Sequence, residues 1–405
     1  MTEELAAGVI TTQVCEETTQ VCVVGGGLTG AAAALAAAEA GLDVVLVDMK
    51  APGRSPSGLG VEVRNVALSP ASRAFLEPMG AWLDGAPYRH MRVWEELGTA
   101  TLEFDAHESG AEALGWIVPV GELNQLLWSR LEAHERVQLL VGEGASELHA
   151  QADGVRLEVG ERVVEADLLL AADGGQSKVR ELTGASTRTF PTGHVALATA
   201  ARTQRPHDAV AHQRFLQGGP LALLPSRDPN VVSVVWSQSP EDGRRREALE
   251  PADFCQELTV ASGGVLGEVE AVDARFVFPL TQHLAADFLA APRVLLLGDA
   301  ARVVHPLAGL GVNLGFEDVQ ALADVFAAGG DVGAADWRRF ARRRRVRSLT
   351  VIQLMDALRE VYGHPSPWLG WLRNAGVRWL DGAGAVKRQV IREAMGLGPV
   401  ARGFR

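Results

Sequence analysis

A chain of 405 residues can bury a large core and exceeds the size at which a single core stops growing, so two or three interleaved substructures are expected. With 47% hydrophobic and 22% charged residues it is not a disordered chain, and no uninterrupted apolar run of about 18 residues marks a membrane-spanning helix. A net charge of −12 argues against nucleic acid as a partner, and Cys15, Cys22 and Cys255 have neither CxxC nor metal-ligand spacing, so no metal site or disulfide framework is indicated.

Residues 1–19 place acidic side chains where a secretory signal needs basic ones, and read as a disordered extension of a cytoplasmic chain. The stretch VCVVGGGLTGAAAALAAAEAGLDVVLVD (21–48) then reads as strand, glycine turn, alanine-rich helix, strand and acid. Gly25, Gly27 and Gly30 fit GxGxxG: the first for a tight turn, the second for close approach of a pyrophosphate, the third for helix packing. Asp48, 23 residues after Gly25, is placed to accept hydrogen bonds from an adenosine ribose and to disfavour a 2′-phosphate. The pattern specifies a dinucleotide and leaves FAD and NAD(P) open.

Further along, HVALATAART and NVVSVVWSQS alternate apolar and polar residues, which predicts an antiparallel sheet within 186–284. SGGVLG (262–267) has Ser262 in place of the first glycine and no apolar strand before it, so it is not a second dinucleotide site. RVLLLGDAARVVHPLAGLGVNLGFEDVQALADV (293–325) is an apolar strand, a Gly-Asp turn, a Pro-Gly loop and an amphipathic helix. WRRFARRRRVR (337–347) holds seven arginines in eleven positions and reads as a solvated helix end in preference to an anionic partner site. Trp368, Trp371, Leu372, Ala375 and Trp379 share one helical face, which packs on the body of the protein or meets a membrane interface.

The 293–325 segment resembles the second FAD fingerprint of the aromatic-hydroxylase class of flavoprotein monooxygenases, the group that includes p-hydroxybenzoate hydroxylase. ADLLLAADGGQSKVRELTG (166–184) resembles the Asp-Gly motif of that class, with Asp173, Gly174, Ser177 and Arg180 in register. RNVALSPASRAFLEPMGAW, FLQGGPLALLP, FPLTQHLA and AGAVKRQVIREAMGL extend the likeness to the ubiquinone-biosynthesis hydroxylases. Two departures stand out. Ala301-Arg302 replaces the usual Ala-Ala-His, and Gly309-Leu310-Gly311 the usual Gly-Gln-Gly.

The resemblance implies an α/β protein with a Rossmann-like FAD-binding domain (20–70, 105–185 and 285–330) interleaved with an antiparallel-sheet substrate domain (71–104 and 186–284). A C-terminal helical region occupies 331–405. It implies that Asp299 binds the ribitol of FAD and that the loop Pro306–Asn313, with Gly309 and Gly311, lies against the isoalloxazine. The backbone N–H groups of Val312 and Asn313 would favour negative charge on the flavin. Arg64 would lie beside the flavin. His305 is a candidate proton relay, against a structural reading, and Arg302 is either a site for phenolate or donor phosphate or a surface arginine. The implied reaction uses NAD(P)H or a separate reductase, O₂ and a flavin C4a hydroperoxide to hydroxylate a polyprenylated phenol or quinol. The implied setting is the inner face of the membrane, by peripheral contact, or a quinone-biosynthesis complex. The alternatives are a hydroxylase of a soluble phenol or polyketide, and a non-catalytic flavin- and quinone-binding subunit.

Overall fold

The computed structural model describes residues 15–53, 58–96, 101–304, 310–329, 336–363 and 384–398. Its first sheet comprises β1 (Cys15–Val24), β2 (Val44–Asp48), β8 (Val137–Val141), β9 (Ala145–Ala150), β10 (Val155–Val159), β11 (Arg162–Ala171), β18 (Leu289–Ala291) and β19 (Val294–Leu296). The order is β18-β19-β11-β1-β2-β8, parallel from β19 to β8, with β9 and β10 added to β11 as an antiparallel meander. Parallel strands are covered on both faces, so they are apolar without alternation. Val21–Val24, Val44–Val47, Leu168–Ala171 and Val294–Leu296 are all buried. Helix α1 (Leu28–Glu39) is buried along almost its whole length, because its alanines let α3 (Val120–Glu132) and α8 (Leu310–Ala327) approach closely.

β1 begins earlier than the disordered extension allows. Residues 15–19 pair with β11 from Cys15↔Arg162 to Thr19↔Ala166. The long edge of β11 offers partners to polar residues, and an Arg162–Glu17 ion pair at 3.1 Å supports the register. Residues 1–14 lie outside the described residues.

The second sheet contains β5 (His90–Glu95), β6 (Thr101–Asp105), β12 (Thr187–Thr203), β13 (Val210–Leu216), β14 (Gly219–Pro225), β15 (Val231–Gln238), β16 (Val269–Val272), β17 (Phe276–Ala285) and β20 (Arg302–Val303). One face carries Leu197, Leu221, Leu223, Val234 and Trp236, sealed by Phe254 and Leu258 of α6 (Pro251–Ala261); α5 (Pro240–Ala248) lies on the same side, where Gly243 meets Val195. The opposite face carries Ala196, Ala198, Ala222 and Val235, with Phe276 and Phe278 in register beside Ala198 and Ala196. The sheet departs from the expected antiparallel pattern at β13–β5, which pair in parallel.

The expected domain boundaries are crossed in two places. Segment 71–104 divides, because β5 and β6 join the second sheet while α2 (Pro70–Leu76) packs on α8. β20, within 285–330, pairs with β17 of the second sheet. A small antiparallel sheet, β3 (Asn65–Leu68), β7 (Gly115–Pro119) and β4 (Ala86–Tyr88), fills the junction. The described C-terminal part is helical, in α9 (Trp337–Gly363) and α10 (Gly384–Ala394).

A buried ionic network joins α8 to α9. Asp318 accepts from Arg344 at 2.7 Å, from the Gly298 amide at 3.1 Å and from Arg302, while Glu317 accepts twice from Arg347, at 3.0 Å each. Two expectations are thereby corrected. Arg302 is not a surface arginine: it is buried, and one nitrogen of its guanidinium pairs with the core carboxylate of Asp318. The arginine run is not simply a solvated helix end, since Arg344 and Arg347 turn inward to Glu317 and Asp318.

Removing one partner from a buried pair strands its charge, at a cost of about 3–5 kcal/mol. Asp318→Ala should lower the unfolding free energy by about that amount in a urea titration, and parental stability would show that the network contributes little.

Acid sensitivity should be traceable to His212 on β13. Burial first, then Arg92 and His207, push its pKa down to about 4 from 6.5. The folded state therefore refuses a proton that the unfolded state accepts, so stability present above pH 6.5 is lost as pH falls toward 4. His212→Gln should flatten that acid limb, measured as urea midpoints at neutral pH and in mild acid. Identical losses in both proteins would assign the limb to other groups.

Candidate cofactor and active site

The glycine turn is built by contact. Gly25 has φ +101°, and a Cβ there would lie 2.5 Å from the Ala172 carbonyl oxygen; one at Gly30 would overlap the Gly25 carbonyl. Gly27 differs. It has ordinary φ and ψ, and among the described residues a Cβ there would meet nothing within 4 Å. No side chain caps α1 and no acid occupies its first turn, so its leading N–H groups remain available to an anion. The protein itself thus demands Gly25 and Gly30 and leaves space above Gly27.

Asp48 lies at the end of β2, as expected. One carboxylate oxygen accepts from the Gly26 amide and the other from the Lys50 amide at 2.9 Å, so Asp48 also braces the turn. Trp128 of α3 donates to the Gly26 carbonyl at 2.7 Å. The sequence gives no signal for this role, since a tryptophan on the apolar face of a helix looks like any core residue.

Asp173 and Gly174 follow β11 directly, beside the glycine turn. One Asp173 oxygen accepts from the Val179 amide at 3.0 Å, capping the region of α4 (Lys178–Leu182); the other is buried with no partner among the described residues. Arg180 donates to the carbonyls of Gly175 at 2.7 Å and Ala300 at 2.8 Å, tying this motif to the Asp299 turn. His283 Nε2 lies 3.0 Å from the Asp299 carbonyl. A carbonyl only accepts, so this nitrogen carries the proton. Burial lowers the His283 pKa, the carbonyl bond opposes, and Arg180 adds to the lowering. His283, within the FPLTQHLA segment, is a neutral brace that the sequence reading did not single out.

Asp299 stands in α7 (Gly298–Ala301) with its side chain open to the cleft. Desolvation by the surrounding protein raises its pKa above the ordinary carboxylate value, and Arg302 opposes this. A Cβ at Gly298 would lie 2.8 Å from the Thr29 hydroxyl, and one at Gly315 would overlap it, so α1, α7 and α8 interlock around Thr29. Gly311, Val312 and Asn313 fall in the first turn of α8. The Asn313 side chain accepts from the Ser69 amide at 2.9 Å and from the Ser72 hydroxyl at 2.7 Å, and donates to the Ala67 carbonyl at 2.7 Å. It staples α8 to the β3–α2 corner. Arg64, exposed, immediately precedes β3, and its carbonyl accepts from Val120 at 3.0 Å.

Gly25, Gly27, Gly30, Asp173, Asp299 and the start of α8 therefore gather at the carboxyl ends of the parallel strands, where this architecture binds ligands. His305, Pro306 and Gly309 lie outside the described residues, as do Trp368, Trp371 and Trp379. An uncapped helix terminus, a space that a Cβ would fill and an open carboxylate fit the pyrophosphate and polyol of FAD.

A family profile described as FAD binding domain matches residues 18–353. The chain belongs to that family. It is 34% identical to 3-demethoxyubiquinol 3-hydroxylase of Escherichia coli (strain K12), covering 94% of this chain and 99% of the relative. It is 32% identical to ubiquinone hydroxylase UbiL of Rhodospirillum rubrum, covering 95% and 92%. Its fold matches the crystal structure of p-nitrophenol 4-monooxygenase PnpA from Pseudomonas putida DLL-E4 with TM-score 0.77 at 21% identity, over 95% of this chain and 99% of that one.

The glycines make a discriminating prediction. Gly27→Val should fold with near-parental thermal stability yet retain no flavin after desalting, because its side chain meets only the cofactor. Gly30→Val should fail to fold, since it collides with backbone. Asp299→Ala should release FAD from a folded chain; full flavin occupancy in either Gly27→Val or Asp299→Ala would refute the assigned contact.

Proposed function

We propose that this protein is an FAD-dependent monooxygenase that hydroxylates the aromatic ring of a polyprenylated phenol or quinol in ubiquinone biosynthesis. The observation that carries the reading is the gathering of three cofactor turns at one cleft, in a chain aligned end to end with relatives named as ubiquinone-pathway hydroxylases. When bound, FAD supplies reduction by NAD(P)H or a reductase, activation of O₂ and delivery of one oxygen atom to the ring.

The first turn of α1 would hold the pyrophosphate, Asp48 the adenosine ribose and Asp299 the ribitol. Gly311, Val312 and Asn313, with Pro306 and Gly309, would border the ring system. The N–H groups of Val312 and Asn313 would stabilise negative charge there, and Arg64 would stand beside it. The face of the second sheet opposite α5 and α6, with Ala196, Ala198, Ala222 and Val235, would cover the reacting ring and exclude water. Side-chain acid–base candidates are few. Burial pushes Tyr88 up to about 12 and His283 is committed to a carbonyl; His305, beside the flavin loop, is the proposed proton relay.

The departure at Arg302 does not favour a non-catalytic subunit. One nitrogen of its guanidinium donates to Asp318 inside the core, so the arginine has a positioning role there that is compatible with a catalytic chain. A prenyl tail costs about 0.8 kcal/mol per CH₂ to move into water, so the head group would be taken at a membrane surface, by peripheral contact. No described helix is long and apolar enough to cross a membrane.

FAD-loaded protein given NAD(P)H or a reductase, O₂ and a short-tailed prenylphenol should yield a product heavier by one oxygen atom in mass spectrometry. Consumption of donor with peroxide release and no oxygenated ring, across prenylated and soluble phenols, would sink the assignment. His305→Gln should keep flavin and its reducibility while losing that product; an unchanged yield would make His305 structural.

A further inference from the structure

The arginine run at the start of α9 divides by direction. Arg344 and Arg347 face the core and are paired with Glu317 and Asp318. Arg338, Arg342 and Arg345, spaced i, i+4 and i+7, fall on one stripe and line a cavity of about 650 Å³ between α9 and the β17–β18 corner. Among the described residues none of these three has an acidic partner, and Arg345 Nε is shielded from solvent without a hydrogen bond. The wall opposite is apolar, formed by Leu289, Ala291 and Pro292, with Val346 on the helix side. One carboxylate, Asp287, lies in the lining, and it already accepts from the Leu289 amide at 3.0 Å. Three guanidinium groups against one carboxylate leave the pocket cationic in a chain whose net charge is −12.

Like charges one turn apart on a helix repel, and the single carboxylate of Asp287 in the lining offsets them only in part. An anion would complete the offset. Guanidinium forks match phosphate oxygens in pairs, which selects phosphate over a simple halide. The volume is that of a small-molecule pocket, and the apolar wall suits a ring or short hydrocarbon attached to the phosphate. The cavity is concave, which suits a discrete ligand better than a flat headgroup plane. We propose that this pocket is a second ligand site, separate from the flavin cleft, for a soluble diphosphate ester carrying an apolar or planar group.

The test uses protein fully loaded with FAD, so that the adenine and pyrophosphate positions of the cofactor cleft are filled. Isothermal titration at physiological salt with ADP, geranyl diphosphate and inorganic pyrophosphate should show saturable binding of at least one ester, tighter than pyrophosphate alone; the preferred ester tells a nucleotide from a prenyl source. Arg342→Gln and Arg338→Gln, both at exposed positions, should each weaken that binding about tenfold without changing flavin content. Arg339→Gln, outside the pocket lining, should leave it unchanged. The proposal is overturned if neither ester binds at millimolar concentration, or if Arg339→Gln weakens binding as much as Arg342→Gln. It is equally overturned if the arginines act only in retention on phosphatidylglycerol vesicles while both soluble esters fail to bind.

Discussion

Asp318 is a fully buried carboxylate held by two arginines and a backbone amide, and the cofactor cleft depends on it. An ionised side chain survives in a core only when its lone pairs are taken, and here the donors come from positions 298, 302 and 344. The first two flank Asp299 and the third lies on α9, so one charge fixes the open carboxylate of the cleft relative to two helices. Arg302 in turn donates to the Gly298 carbonyl at 3.2 Å, closing the loop around the turn that carries Asp299.

Close approach does for the phosphate side what charge does for the ribitol side. Ala172 meets Gly25 and Gly30, while Thr29 meets Gly298 and Gly315. Every one of these contacts needs a missing side chain, so the three turns can converge only where the glycines stand. Gly27 belongs to the same motif, yet no described residue requires it. Within one six-residue motif, packing thus fixes Gly25 and Gly30 and leaves the space above Gly27 for the proposed pyrophosphate. Second-sheet strands reach the same region through β20 and His283, which grips the Asp299 carbonyl, so the covering sheet is registered to the cofactor turn rather than merely stacked beside it.

Local patterns made the cofactor domain legible. Apolar parallel strands, GxGxxG and a Gly-Asp turn each combine a short-range signal with a chemical need, and Asp48, Asp173 and Asp299 stand where their motifs put them. Long-range pairings were not legible. Nothing near β5 announces that it will lie parallel to β13, and nothing near Cys15 announces that β11 will extend its edge to meet it. Arg302 was misjudged for a related reason: its partners at 318 and 298 are brought to it by helix packing, and an arginine read alone defaults to the surface. The run at 337–347 was read as one feature because composition has no direction, whereas the helix sends Arg344 and Arg347 inward and Arg338 and Arg342 outward. Trp128, Asn313 and His283 act through backbone groups, which carry no residue identity for a motif to display.

Reliance on backbone groups also makes the cleft tolerant of departures from the family pattern. The groups proposed to stabilise charge on a bound cofactor are backbone amides at the starts of α1 and α8, and no substitution of a side chain deletes an amide except to proline. What a substitution can do is move the helix that presents them. In this chain the positions of α1 and α8 are set by Thr29 against two glycines, by Asn313 against Ala67, Ser69 and Ser72, and by Asp318 against its arginines. With arginine in place of the usual histidine at 302, the side chain joins that positioning set. On the proposed reading, the buried side chains serve the cofactor by holding two helix ends and one carboxylate in place.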